Sequence, residues 1–207
     1  MKKFVTLAAS TAVSLAALTG VALADDHAGK APAGWYVSGG LGYNIIDDVD
    51  VSGGSFQMDD GYVIQAAVGY DTGDVTSYGK FRVEAEIGYA ENDNDTQTPT
   101  GGAAQNIGGN YEQTSFLVNG YVDFLPGSNL RPYLGVGLGF IDGEQTVTSG
   151  GLTASGSGTE FAYRGAAGVS WHLADKWALD LGYRYTAFES GGDVESHSFI
   201  TGIRYGF

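Results

Sequence analysis

The chain has 207 residues, with 24 acidic against ten basic side chains and a net charge of −14, a balance that argues against nucleic-acid partners. It contains no cysteine, which excludes a disulfide framework and any cysteine-based metal or nucleophile site. Thirty-four glycines against four prolines suit tightly twisted, closely approaching strands rather than helices.

Met1, Lys2 and Lys3 give a positive start, Phe4 to Leu18 an apolar stretch, and Ala22-Leu23-Ala24 a small-x-small cleavage pattern. Residues 1–24 therefore read as a secretory signal peptide, followed by a flexible segment over 25–33 and one domain over 34–207. Removal of the signal leaves eight basic and 24 acidic side chains, a formal −16. No later stretch reaches the ~18 uninterrupted apolar residues of a membrane-spanning helix. A chain of this length that spans a membrane must therefore do so as a small closed sheet, whose strands take about 9–11 residues each.

From Trp35 onward the chain alternates with period two. The first strand sets Trp35, Val37, Leu41 and Tyr43 against Tyr36, Ser38 and Asn44; the second sets Tyr62, Ile64, Val68 and Tyr70 against Gln65 and Gly69. The third sets Phe81, Val83, Ile87 and Tyr89 against Arg82, Glu84 and Glu86. In the fourth, Phe116, Val118 and Phe124 oppose Asn119, Tyr121 and Asp123; in the fifth, Leu134, Val136, Leu138 and Phe140 oppose Arg131 and a run of glycines. The sixth opposes Phe161, Tyr163 and Trp171 to Glu160 and Arg164, and the seventh opposes Trp177, Leu179 and Tyr185 to Asp180 and Arg184. The last opposes Phe199, Ile203, Tyr205 and Phe207 to Ser198 and Arg204. Eight such strands predict an all-β, antiparallel, up-and-down transmembrane barrel. Long links at about 46–60, 92–110 and 142–158, with a shorter one near 189–196, alternate with brief turns near 72–78, 126–129 and 174–176, as expected with outer loops and periplasmic turns.

Parity does not say which face is outside, because a soluble lipocalin-like barrel would put the bulky phase inward. The other phase is rich in glycine and nearly lacks lysine, a poor solvated surface. The aromatics of the bulky phase also fall at strand ends. Trp35, Tyr70, Phe124, Trp171, Trp177 and Tyr205 form a predicted periplasmic girdle, and Tyr43, Tyr89, Phe140 and Tyr185 an outer one, both at interface level. The bulky phase is assigned to lipid.

Every arginine then falls on the lumen phase. The predicted interior network is Arg82, Glu84, Glu86, Asp123, Arg131, Glu160, Arg164, Asp180, Arg184 and Arg204. Its balance of five acids and five arginines suits a paired plug, since buried ions are costly unless paired; a lumen this narrow holds side chains. The outer loops carry Asp47, Asp48, Asp50, Asp59, Asp60, Glu91, Asp93 and Asp95, but without the ligand spacing of an EF-hand. They read as solvated charge, and no metal or cofactor is expected.

The segments GWYVSGGLGYN (34–44), GYVIQAAVGYD (61–71), FRVEAEIGYA (81–90), NGYVDF (119–124), RPYLGVGLGF (131–140), WALDLGYRY (177–185) and the terminal SFITGIRYGF resemble the small eight-stranded outer-membrane proteins of the OmpA-like, opacity or porin-family type. Each piece is degenerate; their order and spacing over 34–207 carry the resemblance. It implies an outer-membrane location in a Gram-negative envelope, contact with lipid and lipopolysaccharide, and surface loops used in adhesion or seen by a host. It also implies assembly recognised through the final strand, with Ile203, Tyr205 and Phe207 as the signal. The chain stops at Phe207, without the peptidoglycan-binding domain of full-length OmpA.

Enzymatic readings are thin, because nucleophilic catalysis needs a base within reach of its nucleophile. His27 lies in the N-terminal segment, His172 sits beside Trp171 near a strand end, and His197 and Ser198 point to opposite faces. The expectation is a non-enzymatic structural surface protein. A narrow pore is the alternative, and a lipid-modifying enzyme a distant third.

Overall fold

The computed structural model describes residues 33–51, 53–76, 79–189 and 193–207. The signal peptide expected over 1–24 and all but Ala33 of the segment 25–33, His27 included, lie outside the described residues. In chain order the strands are β1 (Gly34–Ile46), β2 (Val49–Val51), β3 (Gly54–Met58), β4 (Gly61–Thr76), β5 (Gly79–Pro99) and β6 (Gln105–Asn106). They continue as β7 (Asn110–Phe124), β8 (Leu130–Ser149), β9 (Leu152–Ala174), β10 (Trp177–Glu189) and β11 (Asp193–Gly206).

Eight of them form a ring in the order β1-β4-β5-β7-β8-β9-β10-β11, every pairing antiparallel. The ring closes where β1 meets β11 in an unbroken register from Tyr36↔Gly206 to Ile46↔Ser196. Closure leaves no barrel edge unpaired, the condition for a sheet in lipid.

The period-two pattern places each phase as its chemistry requires. Val37, Leu41, Ile64, Val83, Val118, Val136 and Leu138 face outward and exposed, whereas Tyr36, Arg82, Glu84, Glu86, Asn119, Asp123 and Arg204 are buried inside. The lumen-side glycines make room for these large side chains. A Cβ at Gly69 would stand 2.3 Å from the Tyr36 ring, one at Gly135 2.3 Å from the Tyr121 ring, and one at Gly182 2.2 Å from the Tyr133 hydroxyl. Three interior tyrosines therefore lie over bare backbone.

Much of each long link is strand and not loop. β5, β8 and β9 have 21, 20 and 23 residues, about twice what a bilayer needs, and continue as sheet beyond it. The link expected over 142–158 is a continued β8–β9 ladder from Asp142↔Thr159 to Ser149↔Leu152. It turns on Gly150 and Gly151, both at positive φ (59° and 82°), as a tight two-residue hairpin turn requires. Within 46–60, β2 pairs with β3 and β3 with the upper end of β5. Within 92–110, β5 runs on to Pro99 and β6 pairs with it. The barrel therefore carries a small second sheet above its outer mouth.

Candidate functional site

The aromatics expected to form two girdles fall at the two ends of the strands. At the periplasmic end Trp35 meets Tyr70 edge-on at 5.4 Å, Trp177 lies 4.7 Å from Tyr205, and Tyr205 stands 5.7 Å from Phe207. Trp171 stands opposite Leu179, and Phe124 opposite Gly79. At the outer end Tyr62 packs on Tyr89, Phe140 on Phe161 and Tyr183 on Phe199; Tyr43 faces Tyr62 and Phe199 across its two strand pairs, and Tyr185 faces His197. The outer tyrosines turn their hydroxyls to acids: Tyr43 donates to Asp60, and Tyr62 to Glu91 at 2.7 Å. A ring that is apolar below and hydrogen-bonded above belongs at an interface.

Inside, the charged residues gather in three groups. In the first, the Arg82 guanidinium donates to both Asp123 oxygens (2.9 and 3.1 Å from Nε, 2.9 Å from Nη2) and to Glu84 Oε1 at 3.0 Å. Tyr36 also donates to Glu84, at 2.7 Å. Tyr121 and Tyr133 flank the same guanidinium, with centroids 4.6 and 5.4 Å from its carbon. In the second group Glu86 holds both Arg164 and Arg184, the latter at 2.8 Å, while Arg184 also donates to Gln65 and Arg164 to Thr186. In the third, Arg204 lies 3.3 Å from Asp180 and donates to Ser170.

Two predicted members stand apart. Arg131 is buried at the periplasmic turn, where its Nε donates to the Ser128 carbonyl at 2.8 Å. Glu160 is paired across the ladder with Ile141 near the outer mouth, and no ion pair among the described residues includes it. The sequence reading omitted Lys80 and Asp71, which pair with each other; Lys80 also lies 3.9 Å from Asp123. The signal was there: Lys80 precedes Arg82 by two positions, and Asp71 continues the Gln65–Gly69 phase.

Above the ion pairs lies an apolar cluster that sequence reasoning also missed. Ile46, Val49, Tyr111, Ile141, Ala162, Phe188 and Val194 pack together in the lumen mouth, with Met58 against them. They come from seven strands, one residue each, so no local pattern reveals them.

The outer rim is the opposite in character. Segments 44–61, 90–113, 140–160 and 186–197 hold fifteen acids and neither Lys nor Arg. Glu91, Glu112 and Glu144 stand in one cross-strand row over β5, β7 and β8. Asn110 donates to Glu91 at 3.0 Å and to Glu112 at 2.8 Å. Directly opposed like charges destabilise a sheet, so the row costs stability where it stands. Of the histidines, His172 is buried at the periplasmic end of β9 and His197 is half-buried on the outer face.

Comparison with known proteins agrees with this architecture. The family model described as an outer membrane protein beta-barrel domain matches residues 6–207. Outer membrane protein PagN of Salmonella typhimurium (strain LT2) is 26% identical over 126 residues, 49% of this chain and 53% of the relative, so the chain spans about half the length of that curated relative. Among solved structures, Neisserial surface protein A superposes with a TM-score of 0.56 at 23% identity, covering 85% of this chain and 99% of that one. OprG from Pseudomonas aeruginosa gives 0.55 at 12% identity, with 88% and 99% covered. At these identities the two structures speak for the fold alone.

Proposed function

The chain belongs to the outer membrane protein beta-barrel family and resides in the outer membrane; on that footing we propose that it is a structural surface protein that works through its acidic outer rim. One observation carries this reading: the lumen is filled twice over, by ion pairs and by the apolar cluster at its mouth, while the strands run on past the outer girdle into an exposed acidic sheet. A filled lumen weighs against conduction. The histidines favour no catalytic role, since neither described one stands in a hydrogen-bonded Ser–His arrangement among the described residues, and we read the chain as non-enzymatic.

The rim's sign selects its partner. Fifteen acids without a Lys or Arg steer toward a basic surface, so the adhesion target is a host or neighbouring-cell protein with a cationic patch. The outward row of Ile203 and Tyr205 on β11 and Phe207 just past its end serves recognition by the barrel-assembly machinery, and the two girdles hold lipid and lipopolysaccharide. The test replaces Glu91, Glu112 and Glu144, the acidic cross-strand row, by Gln in cells expressing the protein. Binding of those cells to a basic matrix protein should fall at least tenfold, and binding by the unaltered chain should weaken steeply with added salt. The substituted barrel should still change gel mobility on heating in SDS. Undiminished binding by the substituted protein would refute the acidic rim as the binding surface.

A further inference from the structure

We propose that Asp47, Glu195 and His197 form a binding site for one divalent transition-metal ion of the Zn²⁺ class, at the outer end of the seam where β1 meets β11. Their ligand atoms all lie within 4.8 Å of one another. The ladder fixes this placement. Ile45 is registered with His197 and Ile46 with Ser196, and the Asp47 amide donates to the Glu195 carbonyl at 3.0 Å. Asp47 therefore stands across from Glu195, and Glu195 and His197, two apart on β11, share its outward face.

The imidazole is held as metal-binding histidines are. Tyr183 engages Nδ1 at 2.6 Å, and the ring stacks on Tyr183 (6.0 Å, 27°) and leans on Tyr185 (5.5 Å). With Nδ1–H donated to the Tyr183 oxygen, the Nε2 lone pair is directed at Asp47; such an outer partner is what orients a ligating imidazole. Nε2 lies 3.5 Å from Asp47 Oδ2. Two ligands bound to one Zn²⁺ at about 2.0–2.2 Å and a tetrahedral angle stand about 3.4 Å apart, so this pair already has the spacing of a shared ion. Glu195 carries an exposed side chain that can rotate to close the remaining gap.

Charge points the same way. Asp47, one residue past the end of β1, stands opposite Glu195 of β11, and like charges so placed repel. All the described lysines and arginines lie elsewhere: Lys80, Arg82, Arg164, Arg184 and Arg204 in the lumen, Arg131 and Lys176 at the periplasmic end. One nitrogen and two carboxylates select a borderline cation over Ca²⁺, which takes six to eight oxygens. Water completes the coordination on the outward side.

The experiment titrates Zn²⁺ into the full chain, refolded in detergent and stripped with chelator, by calorimetry. The expected result is one ion per chain, not displaced by excess Ca²⁺. His197→Gln and Asp47→Asn should each weaken binding at least tenfold, and Tyr183→Phe, which keeps the stacked ring, severalfold. Co²⁺ in place of Zn²⁺ should give visible absorption bands that His197→Gln removes. Each variant is first checked for its heat-dependent gel shift; should His197→Gln fail to fold, the half-exposed Asp47→Asn decides. Unchanged binding in the folded variants, or many weak ions displaced by Ca²⁺, would overturn the site.

Discussion

Glu86 shows how this interior is held at the level of one side chain. Its carboxylate is almost fully buried and faces two guanidiniums, Arg164 and Arg184, with the Asn119 amide 3.3 Å away. Removing one partner of a buried ion pair costs more than the pair contributes, because the charge left behind has neither water nor a counter-ion. Glu86→Ala should lower stability by about 3–5 kcal/mol, measured by denaturant unfolding in lipid vesicles. Exchanging the whole group (Glu86→Met, Arg164→Leu, Arg184→Met) should restore most of that loss, since apolar filling of the same space is often as stable. If the triple variant is as weak as the single one, the ions specify the interior and do not merely fill it.

At the scale of one strand, β8 passes through three environments. Val136 sits midway and is 72% exposed to what would be lipid, between the Trp171 and Phe140 levels, whereas Val147 lies on the extension above the outer girdle. Val136→Arg should cost about 2–4 kcal/mol and Val147→Arg no more than about 1 kcal/mol, read from unfolding in vesicles; equal costs would mean the membrane level has been drawn wrongly. The course of β8 through the bilayer was legible in the sequence, because Leu134, Val136, Leu138 and Phe140 alternate with glycines that only a crowded lumen requires. Its upper half was not. From Asp142 to Ser149 the run is Asp, Gly, Glu, Gln, Thr, Val, Thr and Ser, which lacks the apolar–polar alternation that marks a strand, and it is strand because β9 continues opposite it. Ladder continuation is a property of the pair, invisible in either segment alone. The charge network divides likewise. Parity puts these side chains on one phase, but which carboxylate meets which arginine depends on strands up to 98 residues apart, as Glu86 and Arg184 are.

Taken as a whole, the barrel has two seals in series, and their order decides whether it conducts. Ions entering from outside first meet Ile46, Ile141, Phe188 and Val194, an apolar constriction of the kind that closes by excluding water. Only beneath it do they reach the Glu86 and Arg82 groups, where a charge path would otherwise exist. Loosening the lower seal alone should therefore leave the barrel shut. In planar lipid bilayers with concentrated potassium chloride, the wild-type chain should show no steady current steps, and neither should Glu86→Ala. Adding Phe188→Ala to Glu86→Ala removes the plug's phenyl ring together with the ion-pair hub, and small steps should then appear. Steady openings in the unaltered protein would return the narrow-pore reading to first place. Silence in the double variant would mean that the tyrosines seated on Gly69, Gly135 and Gly182 close the lumen by themselves, a third barrier set by backbone spacing and not by charge.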